Sequence, residues 1–373
     1  MHTQTLCSRF VLFGACLLML ATGGCRTSVP GEGPQGRRRN AFRDTIVCMA
    51  YNVENLFDLV DDGTEYPEYQ GGGHNWGPET FMRKLENISS VIAAADPDVI
   101  ALCEIENANA LKSLRAALKR KGRRYPYAAV GDGPHPTSVC PAILSRLPVI
   151  AKRAHGVAKT DEHFTRNILE ADVAFGPCTL KVFVNHWPSK RNPEAHRIAA
   201  ANVLANRVAE LPAGAEYLLA GDFNTNLDEC GGRNPAVKTG LHHVLQTVES
   251  LPGEKIDHVT RQDLGARAGT RQHYNLWFEL PAQYRFSYIY RTSRETPDHI
   301  LIPAGLCDGR RVEYVHSSFR VFRHHGRLLY NGKPYRWQMQ WTPRGRRHVG
   351  AGYSDHLPLM VKLAVLKPDT SSG

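Results

Sequence analysis

Short apolar runs recur along the chain, most of about four to eight residues, the length of a buried strand. They occupy residues 45–50, 99–103, 142–145, 168–173, 180–184 and 217–220. Between them, Phe81, Leu85, Ile88 and Ile92 recur at spacings of three and four, which predicts an amphipathic helix stopping near Asp96-Pro97. A second helix is expected over 108–120. A third opens at Asn192-Pro193, with the asparagine as cap and the proline in the first turn, and runs to about Leu211. Strands and helices interleave, yet several strands follow one another with no helix between. That order predicts a layered α/β sandwich of mixed sheets rather than a doubly wound parallel sheet. Residues 61–78 read as a polar loop. From Asp308 to His348, arginines such as Arg320, Arg336 and Arg346 interleave with Phe319, Tyr330, Trp337 and Trp341 around an Asn331-Gly332 turn signal. This predicts a basic, aromatic-bearing hairpin insert over 305–350. It reads equally as a nucleic-acid groove or as a solvated hairpin covering the sandwich edge.

The N-terminus follows another rule. Arg9 precedes an apolar run from Phe10 to Ala21, and small residues Thr22-Gly23-Gly24 lead to Cys25. The run is too short for a membrane span and has the flanks of a secretory signal. A cysteine behind small residues also resembles a bacterial lipobox, although Leu, Val or Ile is usual where Thr22 stands. The expected product is an exported lipoprotein of the bacterial cell envelope, membrane-anchored through Cys25, with plain secretion as the alternative. Residues 26–43, rich in Gly, Pro and Arg, read as a flexible tether. The catalytic domain is expected over 44–367, with a disordered tail at 368–373. With 42% hydrophobic residues among 373, one large core is within reach. The net charge of +10 favours polyanionic partners. Six of the nine cysteines lie beyond the leader, and Cys48 and Cys103 sit inside apolar strand patterns, as buried thiols do.

The chemistry lies where the apolar runs end. Asn52, Glu104, His186, Asp222 with Asn224, Asp298 and Asp355-His356 each stand at or beside such an end. Rigid strands can aim these groups into one cleft. Oxygen donors suit a hard cation, and histidines move protons near neutral pH. The set predicts metal-assisted phosphoester hydrolysis. Asp222 and Asn224 flank Phe223, so in an extended segment they share a face. Ser354-Asp355-His356 is not a serine-hydrolase triad, because three consecutive residues cannot converge on one another.

Tyr-Asn-Val-Glu-Asn-Leu-Phe, the Glu104 strand, Asn-His-Trp-Pro-Ser-Lys-Arg, Gly-Asp-Phe-Asn, Asp298-His-Ile-Leu and Ser-Asp-His stand in the order of the endonuclease/exonuclease/phosphatase superfamily. The chain resembles that deoxyribonuclease-I-like group from Thr45 to about Val365, and its bacterial exported nuclease-like members above all. The resemblance implies a four-layered α/β sandwich, two packed mixed β-sheets flanked by helices. It implies Asn52, Glu104 and Asp355 as metal ligands for Mg²⁺ or Mn²⁺, with Ca²⁺ a further option; Asn52 could equally support a phosphate oxygen, and Asp355 could instead orient the dyad. Asp222 would activate water that Asn224 positions; Asp298 and His356 would form a dyad at the scissile phosphate; His186 would serve the leaving oxygen. Arg166, Lys190 and Arg191 are the expected phosphate contacts. Glu54 and Glu106 receive no catalytic role, and His242-His243 and His324-His325 read as surface residues.

The expected activity is that of a monomeric metal-dependent phosphodiesterase and DNA/RNA nuclease, with nucleic acid as substrate and no protein partner. A phospholipid or sphingomyelin phosphodiesterase or phosphatase is the rival enzyme, and a non-catalytic surface-binding lipoprotein the rival of another class.

Overall fold

The computed structural model describes residues 42–366, apart from 72–73, 134–136, 158–164, 232–237, 252–253, 267–270, 325–326 and 344. The leader, Cys25, most of the tether and the tail at 368–373 lie outside the described residues. In chain order the first half contains β1 (Phe42–Leu56), α1 (Pro78–Ala95), β2 (Val99–Ile105), α2 (Ala108–Arg120), β3 (Tyr127–Val130) and β4 (Cys140–Ser145). β5 (Val149–His155), β6 (Ile168–Phe175), β7 (Cys178–His186), α3 (Glu194–Ala209) and β8 (Tyr217–Asp222) follow. Next come α4 (Arg261–Ala266), β9 (Tyr274–Asn275), β10 (Tyr288–Tyr290), β11 (Ser293–Glu295) and β12 (Asp298–Ile302). The last part holds β13 (Val312–Tyr314), β14 (Arg320–Val321), β15 (Leu329–Tyr330), β16 (Lys333–Pro334), β17 (Met339–Thr342), β18 (Gly345–His348) and β19 (Leu359–Leu366).

Two mixed sheets carry the fold. One has the order β13-β19-β1-β2-β4-β3, with β14 also on β19; the other has the order β5-β6-β7-β8-β12-β9. Each sheet holds one parallel pair, β1–β2 and β7–β8, and a helix, α1 or α3, spans each crossover. The remaining pairs are antiparallel, which makes both sheets mixed, as expected.

Side chains from both sheets meet in one apolar core that includes Cys48, Ala50, Leu102, Val184, Ala220 and Ile300. A smaller cluster packs α3 on the outer face of the second sheet through Ala200, Leu204, Phe183 and Leu219. The four stripe residues of α1 are all buried, and the helix stops where Asp96 turns left-handed with its N–H on Ile92 O. At α3 the expected cap is corrected. Pro193 holds the N-cap position without a side-chain cap bond, and Asn192 turns back to Ser189. The prolyl φ suits the entry to a helix, so the asparagine is displaced outward.

The basic segment also departs from expectation. Instead of one hairpin it forms two edge strands on β19, β13 and β14, and two short hairpins, β15–β16 and β17–β18. Asn331 and Gly332 have φ of 50° and 74°, the turn that their dipeptide predicts. Trp337 and Phe319 are buried, which needs nearby backbone to cover them and breaks the long hairpin into pieces. His242 is likewise buried, bonded to Thr239 and Leu227 O, and not a surface residue. All six described cysteines are free, Cys48 and Cys103 among the buried ones. Among the described residues no helix is long and apolar enough to cross a membrane.

Candidate active site

Strand periodicity delivers the site. On β7, Leu180, Val182 and Val184 enter the core between the sheets, so His186 shares their face. On β8, Leu218 and Ala220 do the same for Asp222; on β12, Ile300 and Ile302 do it for Asp298. Register then aligns them, because His186 pairs with Asp222 and Asp222 with Asp298. Three functional groups therefore form one row across three adjacent strands, at the edge of the inter-sheet core. Gly221 makes the row possible: its φ is +130°, and a Cβ there would meet Asn185 O at 2.1 Å.

The opposite sheet supplies the other wall. Asn52 on β1 pairs with Cys103, and the next residue, Glu104, sits at the irregularity in β2 before Ile105 resumes the pairing, with φ 66°. Glu54, Asn55 and Asn224 are also left-handed, so four strained non-glycine residues line this one site. Asn52 Nδ2 donates to Glu104 Oε1 at 2.9 Å and to Asp222 Oδ2 at 3.1 Å, tying the two sheets together. Its Oδ1 accepts from Glu54 N at 3.0 Å. Asn55 N donates to Glu104 Oε2 at 2.8 Å.

The expected dyad is present as a contact: His356 Nδ1 lies 2.7 Å from Asp298 Oδ2, which also accepts from Ser287 Oγ at 2.6 Å. His356 Nε2 is 3.9 Å from Asp222 Oδ2 and 3.9 Å from Asp355 Oδ1. His186 Nε2 lies 3.7 Å from Glu104 Oε1 and 3.8 Å from Asp222 Oδ2. Asn224 gives its N–H to Asp222 Oδ1 and its Nδ2 to Trp187 O, each at 2.9 Å.

The two imidazoles diverge electrostatically. Burial disfavours charge on His356, but the Asp298 carboxylate outweighs it and holds the ring well above the ordinary imidazole range. Burial, then the charges of Arg166 and His356, hold His186 well below it. The two rings are therefore pushed in opposite directions, His356 toward the charged form and His186 toward the neutral one. Burial pushes the Asp222 carboxyl up to about 7, with His356 opposing and Asp298 adding to the shift. Asp355 is raised by burial and feels Glu104.

Ligand atoms of Asp222, Asp298 and His356 lie within 4.8 Å of one another. The Asp298–His356 hydrogen bond spends one atom of each on the other, and further carboxylate oxygens lie near the two imidazoles, Glu104 Oε1 at 3.7 Å from His186 Nε2 and Asp355 Oδ1 at 3.9 Å from His356 Nε2. Carboxylates crowded and desolvated in this way fit a hard divalent cation.

Three groups given no role by the sequence hold this wall together. Arg336, from the basic segment, binds Glu54 Oε1 through Nε at 3.0 Å and reaches Asp355 Oδ2 at 3.4 Å. Trp337 N donates to Glu54 Oε2 at 2.8 Å. Lys84, fully buried, donates to Glu54 O at 2.8 Å and Tyr353 O at 3.0 Å, 5.0 Å from the Trp337 ring centre. Lys84 stands three residues after Phe81 and four before Ile88, on the apolar stripe of α1; that placement was its only signal.

The phosphate-binding candidates are uneven. Arg166 lies against the Tyr66 hydroxyl and its charge reaches His186. Lys190 sits between Glu229 at 3.2 Å and Glu295 at 3.3 Å, while Arg191 is exposed.

The sequence profile of the endonuclease/exonuclease/phosphatase family matches residues 47–365. The chain belongs to this family, whose members are metal-dependent phosphoester hydrolases. Comparison with curated proteins returned no match. Among solved structures, a humanized D. rerio TDP2 superposes with a TM-score of 0.52 at 16% identity, covering 86% of this chain and 98% of that one. D. rerio TDP2 complexed with a single strand DNA product gives 0.51 at 16%, over 86% and 98%. A Bacteroides thetaiotaomicron family protein gives 0.52 at 13%, over 87% and 99%. At these identities the likeness is one of fold.

Proposed function

We propose that this chain is an exported, lipid-anchored, divalent-metal phosphodiesterase that cleaves nucleic acid. The observation that carries the hydrolytic reading is the row of His186, Asp222 and Asp298, with His356 seated on Asp298. Glu104 and Asp355, steadied by Asn52 and Arg336, would hold the ion. Bound there, Mg²⁺ or Mn²⁺ would supply charge neutralisation for the phosphate and its leaving oxygen.

Asp222 accepts the proton of the attacking water. Asn224, its amide fixed by Trp187 O, leaves its Oδ1 to orient that water. His356, kept protonated by Asp298, sets a positive charge at the scissile phosphate, and Arg166 contacts a neighbouring oxygen. Neutral His186 lies beside the leaving side of the row, where it stabilises or relays a proton to the departing oxygen. Arg191 is free to meet a flanking phosphate, whereas Lys190 must first leave its glutamates.

Nucleic acid is supported by the net charge of +10 and by two exposed aromatics in the basic segment, Tyr330 and Trp341, the latter beside Arg346. The single strand DNA product in the D. rerio TDP2 structure points the same way. Asp298→Asn keeps the size of the dyad carboxylate but not its charge, so kcat is expected to fall about 10²-fold with KM little changed. An unchanged kcat would remove the dyad from the mechanism.

The test incubates purified residues 26–373 with plasmid DNA, RNA and sphingomyelin, each with Mg²⁺ and with EDTA. Nucleic-acid cleavage that EDTA stops is expected. Turnover of sphingomyelin alone would make this a lipid phosphodiesterase, and no turnover of any substrate would favour a binding protein. The anchor is tested separately: Cys25→Ala should move the protein out of the membrane fraction, and unchanged fractionation would reject lipidation there.

A further inference from the structure

A second group of carboxylates sits just beyond the catalytic ends of β1 and β2. After Asn52 and Glu54 the chain continues to Asp58, and after Glu104 to Glu106; Leu56 pairs with Ile105, which brings these extensions side by side. Asp58 N donates to Glu106 Oε2 at 2.6 Å. The following loop folds back on the pair. Asp62 N and Gly63 N donate to the two oxygens of Glu65 at 2.7 and 2.9 Å, and Thr64 donates to Asp62 Oδ1 from its N–H and its hydroxyl at 3.2 and 2.8 Å. Ligand atoms of Asp62, Glu65 and Glu106 converge within 4.8 Å of one another.

Clustered acids alone prove little, but two of these oxygens receive no hydrogen bond from any donor group among the described residues. Glu106 Oε1 and Asp58 Oδ2 are buried and accept no hydrogen bond, on side chains of residues only 3% and 6% exposed. The carboxyl that Glu106 does face is another acid, Glu65. Buried carboxylate oxygens are ordinarily hydrogen-bonded, paired with a cation or bound to a metal.

We propose that Asp62, Glu65 and Glu106, with Asp58 beside them, bind a Ca²⁺ ion at a site separate from the catalytic one, locking the ends of β1 and β2. The donors are all oxygens, with no histidine or cysteine among them, which excludes a zinc-type site. Asp62 and Glu65 come from one irregular loop, with the Thr64 hydroxyl on Asp62 Oδ1, and the set suits the irregular, many-oxygen shell of Ca²⁺ better than the strict octahedron of Mg²⁺. The ion would hold in place the strand ends that carry Asn52, Glu54 and Glu104. Trp76 supplies a reporter, since its Nε1 donates to Asp58 O at 3.0 Å.

The test strips the purified protein with chelator, then adds Ca²⁺ or Mg²⁺ and follows calorimetric stoichiometry, thermal unfolding and Tb³⁺ emission sensitised through tryptophan. Wild type should bind Ca²⁺, gain several degrees in Tm and give Tb³⁺ emission. Asp62→Asn, on an exposed residue that will not disturb folding, should weaken this Ca²⁺ binding about tenfold or more and lose the emission. Glu106→Gln should do the same if it folds. The catalytic-wall variants Glu104→Gln and Asp355→Asn should retain both. Equal Ca²⁺ responses in wild type and Asp62→Asn would overturn the site, and loss of the response in Glu104→Gln would move the ion to the catalytic wall. A thermal gain with Mg²⁺ but not Ca²⁺ would reject the assignment to calcium.

Discussion

Asp222→Asn is expected to lower kcat about 10³-fold or more while the protein remains folded. The substitution keeps the size of the side chain, but it replaces Oδ2, which accepts from Asn52 Nδ2 at 3.1 Å, by an NH2 facing that donor. Oδ1 still accepts from Asn224 N, as at 2.9 Å in the native site. What disappears is an ionisable oxygen at the junction of the whole cleft: Asp222 Oδ2 lies 3.1 Å from Asn52 Nδ2, 3.8 Å from His186 Nε2 and 3.9 Å from His356 Nε2. A neutral amide cannot take the proton of an attacking water. Steady-state kinetics beside near-ultraviolet circular dichroism would check this. A kcat within about tenfold of wild type would mean that another group activates the water. A weakened dependence on metal concentration with kcat kept at saturation would instead make Asp222 a ligand.

Glu170→Ala is expected to cost about 3 kcal/mol of stability, the lower end for breaking a buried ion pair, because its partners retain some access to water. Glu170, on β6, is nearly inaccessible and gathers basic side chains from three elements. Arg207 of α3 binds it through Nε at 2.7 Å and Nη2 at 2.9 Å, His155 of β5 at 2.7 Å and Lys181 of β7 at 3.2 Å. The bonds clamp α3 to the outer face of its sheet. Burial disfavours the charged carboxyl, yet the Arg207, His155 and Lys181 bonds outweigh it and hold Glu170 well below the usual range. A depressed folded-state pKa gives stability that is present above the unfolded value, about 4.3, and is lost as pH falls below it. Urea unfolding across that window should show wild type losing stability on acidification, with Glu170→Gln flatter. A loss under about 1 kcal/mol, the scale of an exposed pair, would show that the cluster is solvated and structurally idle.

Much of the fold was legible in order and period. Apolar runs marked strands that became β1, β2, β4, β6, β7 and β8, and the helical stripe of Phe81, Leu85, Ile88 and Ile92 is the buried face of α1. The sites of chemistry stood out because ionisable residues ending apolar runs are costly unless they serve a purpose. Other features left no such mark. Glu170 looked like any strand residue, and Arg336 like one more arginine in a basic segment until it met Glu54 and Asp355. The loop from Asp58 to Glu65 looked like polar filler, and His242 like surface.

The sequence by itself determined the fold class, the family, the element types and which side chains have the chemistry for phosphoester hydrolysis, since these depend on residue type, spacing and alternation along the chain. Only the tertiary structure decided which groups meet. Register across β7, β8 and β12 put His186, Asp222 and Asp298 in one row, and folding brought residues as far apart as Asn52, Asp222 and Asp355 to one cleft. It also pushed one histidine toward the charged form and the other toward the neutral one. Charge state, like contact, is set by neighbours distant in the chain and by the water that folding removes.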